Sequence, residues 1–297
     1  MQGIPYIGEF FALAAPIAWA FAVILFRKTG RTVPAPALNL FKNVLASFLF
    51  LGTLAVIGEP LFRGAPLSHF AILFASGALG IGMADTFYFM ALNRIGASLV
   101  AIAGTSYSPA VIFMSYLFLG ERLSGPQLLG VALILGAVLS VLRLRDHAHL
   151  TPRVLAAGVT LEILANVTQA VSIVMIKPLL ADYGLIWVNC WRMFGGVLLA
   201  ALFFPFMPKR REAIASLRNR GVYLVMVPAV VIGTYFSLLF WLAGMKYTLV
   251  SVASALNQTS TLWIFVLAVL ILREPTSRRR VAGLLIGLAG VALVTFC

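Results

Sequence analysis

Asp85 lies within the run GIGMADTFYFMAL (80–92), and Glu162, Asn166 and Gln169 interrupt another long apolar stretch. The second set follows i, i+4, i+7 spacing, which puts a carboxyl and two amides on one face of a helix. Two further runs, GTSYSP (104–109) and NQTSTL (257–262), place Thr105, Tyr107, Ser108, Asn257 and Gln258 among hydrophobic neighbours. Pro109 removes a backbone donor and crowds the carbonyl four residues earlier, so it predicts a helix break there and frees that carbonyl for other partners. An ionisable group in hydrocarbon costs on the order of several kcal/mol unless it meets water, a counter-charge or a substrate. The chemistry offered is therefore recognition and proton exchange. Hydroxyl, amide and carbonyl groups can hold a polar molecule, and Asp85 and Glu162 can trade a proton with it. Tyr88, one turn after Asp85, and Tyr107 add aromatic faces that suit a cation or a flat group. Plainer readings stand beside these: serine and threonine let helices pack closely, and either carboxyl can pair structurally with Lys42 or Arg192. Those two cations fall four or five residues inside apolar runs. Snorkelling of the long side chains to the headgroups is their expected behaviour, with a gate or an anion contact as the alternative.

The elements that must position these groups are transmembrane helices. The chain has 297 residues, 62% hydrophobic and 10% charged, against about 25% charged in soluble domains. Windows of about 20 apolar residues, enough to cross the hydrocarbon core, fall at 8–26, 38–58, 68–92, 95–119, 126–142, 154–176, 185–207, 221–243, 249–272 and 279–296. The expected fold is an all-α integral membrane protein of ten spans. The longest connection is 208–220, and the alternation of a β-barrel is missing. Sixteen Lys and Arg residues lie in the loops after odd-numbered spans and four in the others. The positive-inside rule then puts both termini outside. It also assigns the net charge of +13 to topology and contact with anionic lipid, not to nucleic acid. Asp85 lies nine residues before Arg94 and Glu162 nine after Arg153, so both carboxyls belong about 13 Å deep from the same surface.

Cys190 and Cys297 offer no disulfide framework, and His69, His147 and His149 no complete ligand set, so neither metal nor cofactor is expected. Residues 1–7 lack the basic segment of a cleavable signal. No nucleophile-and-base pair, HExxH or nucleotide-binding glycine motif occurs, and the polar residues are spread over several spans, so an enzyme is not expected. Glu121 and Glu274 fall in turn-like segments and read as caps.

The chain also matches itself. An offset of 153 brings Ser98 onto Ser251, Glu121 onto Glu274 and Gly130 onto Gly283; an offset of 150 brings NLFK (39–42) onto NCWR (189–192) and Arg27 onto Lys177. Two repeats, 1–148 and 149–297, follow. Five spans each is an odd number, so the second copy must enter the membrane inverted, an architecture that places a substrate site near the midplane. ALNRIGAS (91–98) with YSPAVIFMSYLFLGERLSGPQLLGVALILGAVL (107–139), and the looser counterpart at 254–293, resemble the closing part of a repeat in the drug/metabolite transporter superfamily, specifically its EamA-like branch. The basic residue early in spans two and seven fits the same pattern. The second copy has Leu262 where the first has Pro109. The resemblance implies export of a small metabolite, such as an amino acid or related amphipathic compound, across a bacterial inner membrane by alternating access. Proton coupling through Asp85 or Glu162 is the accompanying expectation. Efflux of organic cations is the alternative among carriers, a lipid enzyme or a channel the alternative outside them. Sugar-nucleotide exchange would instead want basic residues deep in the cavity. Gly283, Gly287 and Gly290 on the last span fit either a monomer or a homodimer.

Overall fold

The chain is described here by a computed structural model covering residues 7–119, 124–142, 150–206, 210–247, 256–257 and 259–296. Long apolar runs without internal breakers become helices, because in lipid each backbone group must find its partner within the segment. The helices are α1 (Ile7–Thr29), α2 (Ala35–Val56), α3 (Leu67–Gly77), α4 (Asp85–Ile95), α5 (Ala97–Gly104), α6 (Tyr107–Leu119), α7 (Gly125–Leu142), α8 (Pro152–Ile176), α9 (Leu179–Asp182), α10 (Leu185–Phe203), α11 (Arg210–Arg218), α12 (Arg220–Ala229), α13 (Ser237–Tyr247), α14 (Thr259–Leu272) and α15 (Arg278–Phe296). Among the described residues, six continuous helices are long and apolar enough to cross a membrane: Ile7–Thr29, Ala35–Val56, Leu67–Ile95, Pro152–Ile176, Leu185–Phe206 and Arg220–Gly244. Shorter apolar helices, Thr259–Leu272 among them, accompany these.

Several boundaries differ from the sequence expectation. The segment 95–119 is two helices, with the break at Thr105 and Ser106, while Pro109 sits in the first turn of α6. The first turn of a helix has no upstream carbonyls to bond, so the missing proline N–H is tolerated there and the break moves N-terminal to it. Two spans contain π-helical turns, Ala78–Ala84 joining α3 to α4 and Val230–Phe236 joining α12 to α13. The expected loop 208–220 contains α11, which buries Ala213 and carries Arg210, Arg211 and Arg218.

Polarity is distributed as lipid solvation demands. Phe10, Phe48, Val56, Phe113 and Leu224 are exposed, whereas Asn39, Lys42, Asn43, Glu162, Asn189 and Arg192 are buried. The tightest seam joins α3 to α10. A Cβ on Gly77 would collide with the Arg192 carbonyl, and one on Gly195 with the Phe74 carbonyl. Small residues allow this backbone-to-backbone approach, and the seam sets the position from which Arg192 projects.

Candidate functional site

A cavity of about 250 Å³ lies inside the helix packing. Of the residues singled out in the sequence, Lys42, Asp85, Tyr88, Tyr107, Glu162, Asn166, Gln169, Arg192 and Asn257 all border it. Thr105 does not: it is fully buried and its hydroxyl donates to the Ile102 carbonyl at 2.8 Å. Helix packing therefore accounts for Thr105, against the expectation of substrate contact. Pro109 is likewise absent from the lining. Gln258 and the side chain of Ser108 fall outside the described residues.

Lys42 and Arg192 correct the snorkelling expectation, since only 2% and 1% of their surfaces are exposed. The Lys42 ammonium donates to Asp85 Oδ2 at 2.6 Å and lies 5.9 Å from the centre of the Phe89 ring. Asp85 is presented by the π-helical turn preceding it, and that turn is held by α2. Asn39 Nδ2 donates to the carbonyls of Ile81 and Gly82 at 3.0 and 2.9 Å and to Thr86 Oγ1 at 2.9 Å. Asn43 Nδ2 adds a bond to the Ile81 carbonyl at 3.3 Å. Carbonyls that a π-turn leaves short of helical partners are thus satisfied by two amides one helical turn apart on α2.

Arg192 is held differently. Ser76 Oγ donates to the Ser172 carbonyl and Ser172 Oγ to the Ser76 carbonyl, each at 2.8 Å. Each hydroxyl has one proton, so both oxygens are left as acceptors. They receive Arg192 Nε at 3.2 Å and Nη2 at 3.1 Å. Nη1 has no hydrogen-bond partner, and among the described residues no carboxylate lies within ion-pair distance of the guanidinium. The cation is gripped by neutral groups and keeps one nitrogen unused.

Glu162, 2% exposed, is the opposite case. Its Oε2 has no partner, and the same holds for Gln169 Oε1, the Tyr88 hydroxyl and the Thr234 hydroxyl. Asn166, on the same face of α8, donates to Ser106 Oγ at 2.9 Å. That bond ties the stripe to the break between α5 and α6. Trp19 and Trp241 also border the cavity, and Trp19 packs on Tyr88 with ring centres 5.8 Å apart. Sequence reasoning gave no functional place to Asn39, Ser76, Ser172, Trp19 or Thr234. Asn39 had a usable signal, its match to Asn189 under the 150 offset. The serines had none.

Beyond the cavity, a contact joins sequence-distant segments. Glu274 accepts from the backbone N–H groups of Ala97 and Ser98 at 2.8 and 2.9 Å and from Ser98 Oγ at 2.7 Å, and lies 3.9 Å from Arg27 Nε. A carboxylate at a helix start satisfies orphan donors and the helix dipole together. Gly96, with φ of 85°, makes the turn, and a Cβ there would stand 2.8 Å from Glu274 Oε1. The cap expected at Glu274 is present, and the helix it caps lies 177 residues away in sequence.

Relatives give these features a family setting. The chain is 25% identical over 290 residues to Protein PecM of Dickeya dadantii, covering 96% of this chain and 91% of that one. It is 23% identical over 290 residues to an uncharacterized transporter of Archaeoglobus fulgidus, covering 95% and 96%. A solved protein structure superposes with a TM-score of 0.69 at 17% identity, covering 97% of this chain and 96% of the other, a likeness of fold alone. The model of the EamA-like transporter family matches residues 6–143 and again 156–296. With both matches together spanning nearly the whole chain, this helical membrane protein belongs to the EamA-like transporter family.

Proposed function

We propose that the chain is a secondary active transporter of ten spans, built as two inverted five-helix repeats (1–148 and 149–297). It exports a small metabolite, such as an amino acid or related amphipathic compound, by alternating access across a bacterial inner membrane, with both termini outside. The observation that carries this reading is the composition of the cavity wall. Lys42, Asp85, Tyr88 and Tyr107 come from one half of the chain and Glu162, Asn166, Gln169, Arg192 and Asn257 from the other. A pocket between two halves is what a rocking carrier requires. The seven-residue π-turns at Ala78–Ala84 and Val230–Phe236, 152 positions apart, support the duplication.

Proton coupling runs through Asp85 or Glu162 in this proposal. The test is transport in proteoliposomes under an imposed pH gradient. Asp85→Asn or Glu162→Gln should lose the response to the gradient while still exchanging substrate at equal pH. A wild-type response in both variants would remove proton coupling from the mechanism. Efflux of organic cations is a second reading, favoured by a cavity wall that combines the Glu162 carboxyl with Trp19, Tyr88 and Trp241.

A further inference from the structure

The unused polar atoms of the cavity are sorted by sign and position. One is a cation, Arg192, fastened by Ser76 and Ser172 with Nη1 free of any partner. The other is a carboxyl, Glu162, with Oε2 free. Both side chains are almost wholly buried and both border the same cavity. The other two charges on the wall, Lys42 and Asp85, neutralise each other at 2.6 Å. What remains for a ligand is one positive and one negative group. Their spacing is gauged along α8, which is helical from Pro152 to Ile176. The backbones of Glu162 and of Ser172, the residue gripping Arg192, are ten positions apart on it, or about 15 Å along the axis. One small functional group cannot serve both. Gln169 Oε1 offers a neutral acceptor between them, close to Ser172, since the Cβ position of Gly80 lies 2.9 Å from it and also abuts Ser172 Oγ.

Resting on the carrier reading above, we propose that the cavity takes an elongated zwitterion, whose oxyanion docks on Arg192 and whose ammonium docks on Glu162 several bonds away. Arginine suits the first role because a planar guanidinium with two nitrogens already committed presents the third in a fixed direction. A buried carboxylate with an empty lone pair suits the second. A substrate lacking either end leaves a buried charge unpaired, and this is how such a site rejects it.

The test measures binding to purified protein, by thermal shift and by isothermal titration, with ε-aminocaproate and L-lysine as probes. Pentylamine lacks the carboxylate, caproate lacks the amine, and alanine carries both charges on one carbon. Wild-type protein should bind the two probes at least about tenfold more tightly than any of the three controls. Arg192→Gln should bring ε-aminocaproate and pentylamine within about twofold of each other. Glu162→Gln should do the same for ε-aminocaproate and caproate. Arg192 also braces two helices, so Arg192→Lys, which keeps the charge and loses the fork, serves as the folded control and should weaken carboxylate preference without loss of fold. Equal binding of pentylamine and the probes, binding of alanine as tight as that of the probes, binding of none of the five, or unchanged preference in both Gln variants would overturn the proposal. Transport is read separately in proteoliposomes. Probes that bind and are not carried would defeat the carrier reading and leave the recognition intact. Pentylamine bound and carried as well as ε-aminocaproate would do the reverse.

Discussion

Glu274 and Glu162 are both carboxylates enclosed by helices, and their surroundings differ in one respect. Around Glu274 both oxygens are partnered: two backbone N–H groups, the Ser98 hydroxyl and Arg27 converge on them. Glu162 keeps one oxygen without a partner, on the wall of a cavity. Burial alone therefore does not distinguish a structural acid from a functional one; satisfaction does. The cations divide the same way. Lys42 has Asp85, while Arg192 has only neutral acceptors and a spare nitrogen.

Three substitutions put that contrast at risk. The largest effect is expected at Asp85→Ala, which strands the Lys42 ammonium. Truncating one partner of a fully buried ion pair costs about 3–5 kcal/mol, and with the Asp85 side chain 25% exposed a loss of about 2–3 kcal/mol is the better figure. It is read as a drop in thermal stability in detergent, and adding Lys42→Met should recover most of it. No drop would mean the pair is not a structural unit. Next comes Glu274→Ala, which removes several charge-assisted bonds at the start of α5 and should cost about 2 kcal/mol. Faster hydrogen exchange should appear at Ala97 and Ser98, and unchanged exchange there would dissolve the contrast. The smallest change in stability belongs to Glu162→Gln. Replacing a carboxyl that has one unpartnered oxygen by an amide of similar shape should shift stability by less than about 1 kcal/mol in either direction, while the response of transport to a pH gradient is lost. A destabilisation equal to that of Glu274→Ala would place Glu162 among the structural acids.

Much of this arrangement could be read from residue order, and the limits have physical causes. Long apolar runs reveal helices because lipid leaves few other solutions, and Asp85 and Glu162 stand out because their cost in hydrocarbon is high wherever they point. Direction is another matter. Lys42 and Arg192 lie close enough to span ends for a flexible side chain to turn either way. The choice is made by Asp85 and by the Ser76–Ser172 pair, which no local pattern announces. Thr105 stays off the cavity wall for a related reason: a threonine hydroxyl can return to a carbonyl of its own turn, here that of Ile102. The π-turn at Ala78–Ala84 is not legible locally because its displaced carbonyls accept from Asn39 and Asn43 of a different helix. Glu274 read as a cap from its turn, while its actual client, α5, is a tertiary choice.

The glycine contact between α3 and α10 bears on how firmly Arg192 is held. Ridges of side chains resist any change of angle because knobs must be lifted from holes. This seam has both devices: Gly77 meets the Arg192 carbonyl and Gly195 that of Phe74, while Phe70 lies against Trp187 and Trp191. The two helices cannot be pushed closer here and are keyed against rotation. Arg192 stands at this contact, so its backbone is pinned against α3 at one end of the side chain and its guanidinium is pinned by Ser76 and Ser172 at the other.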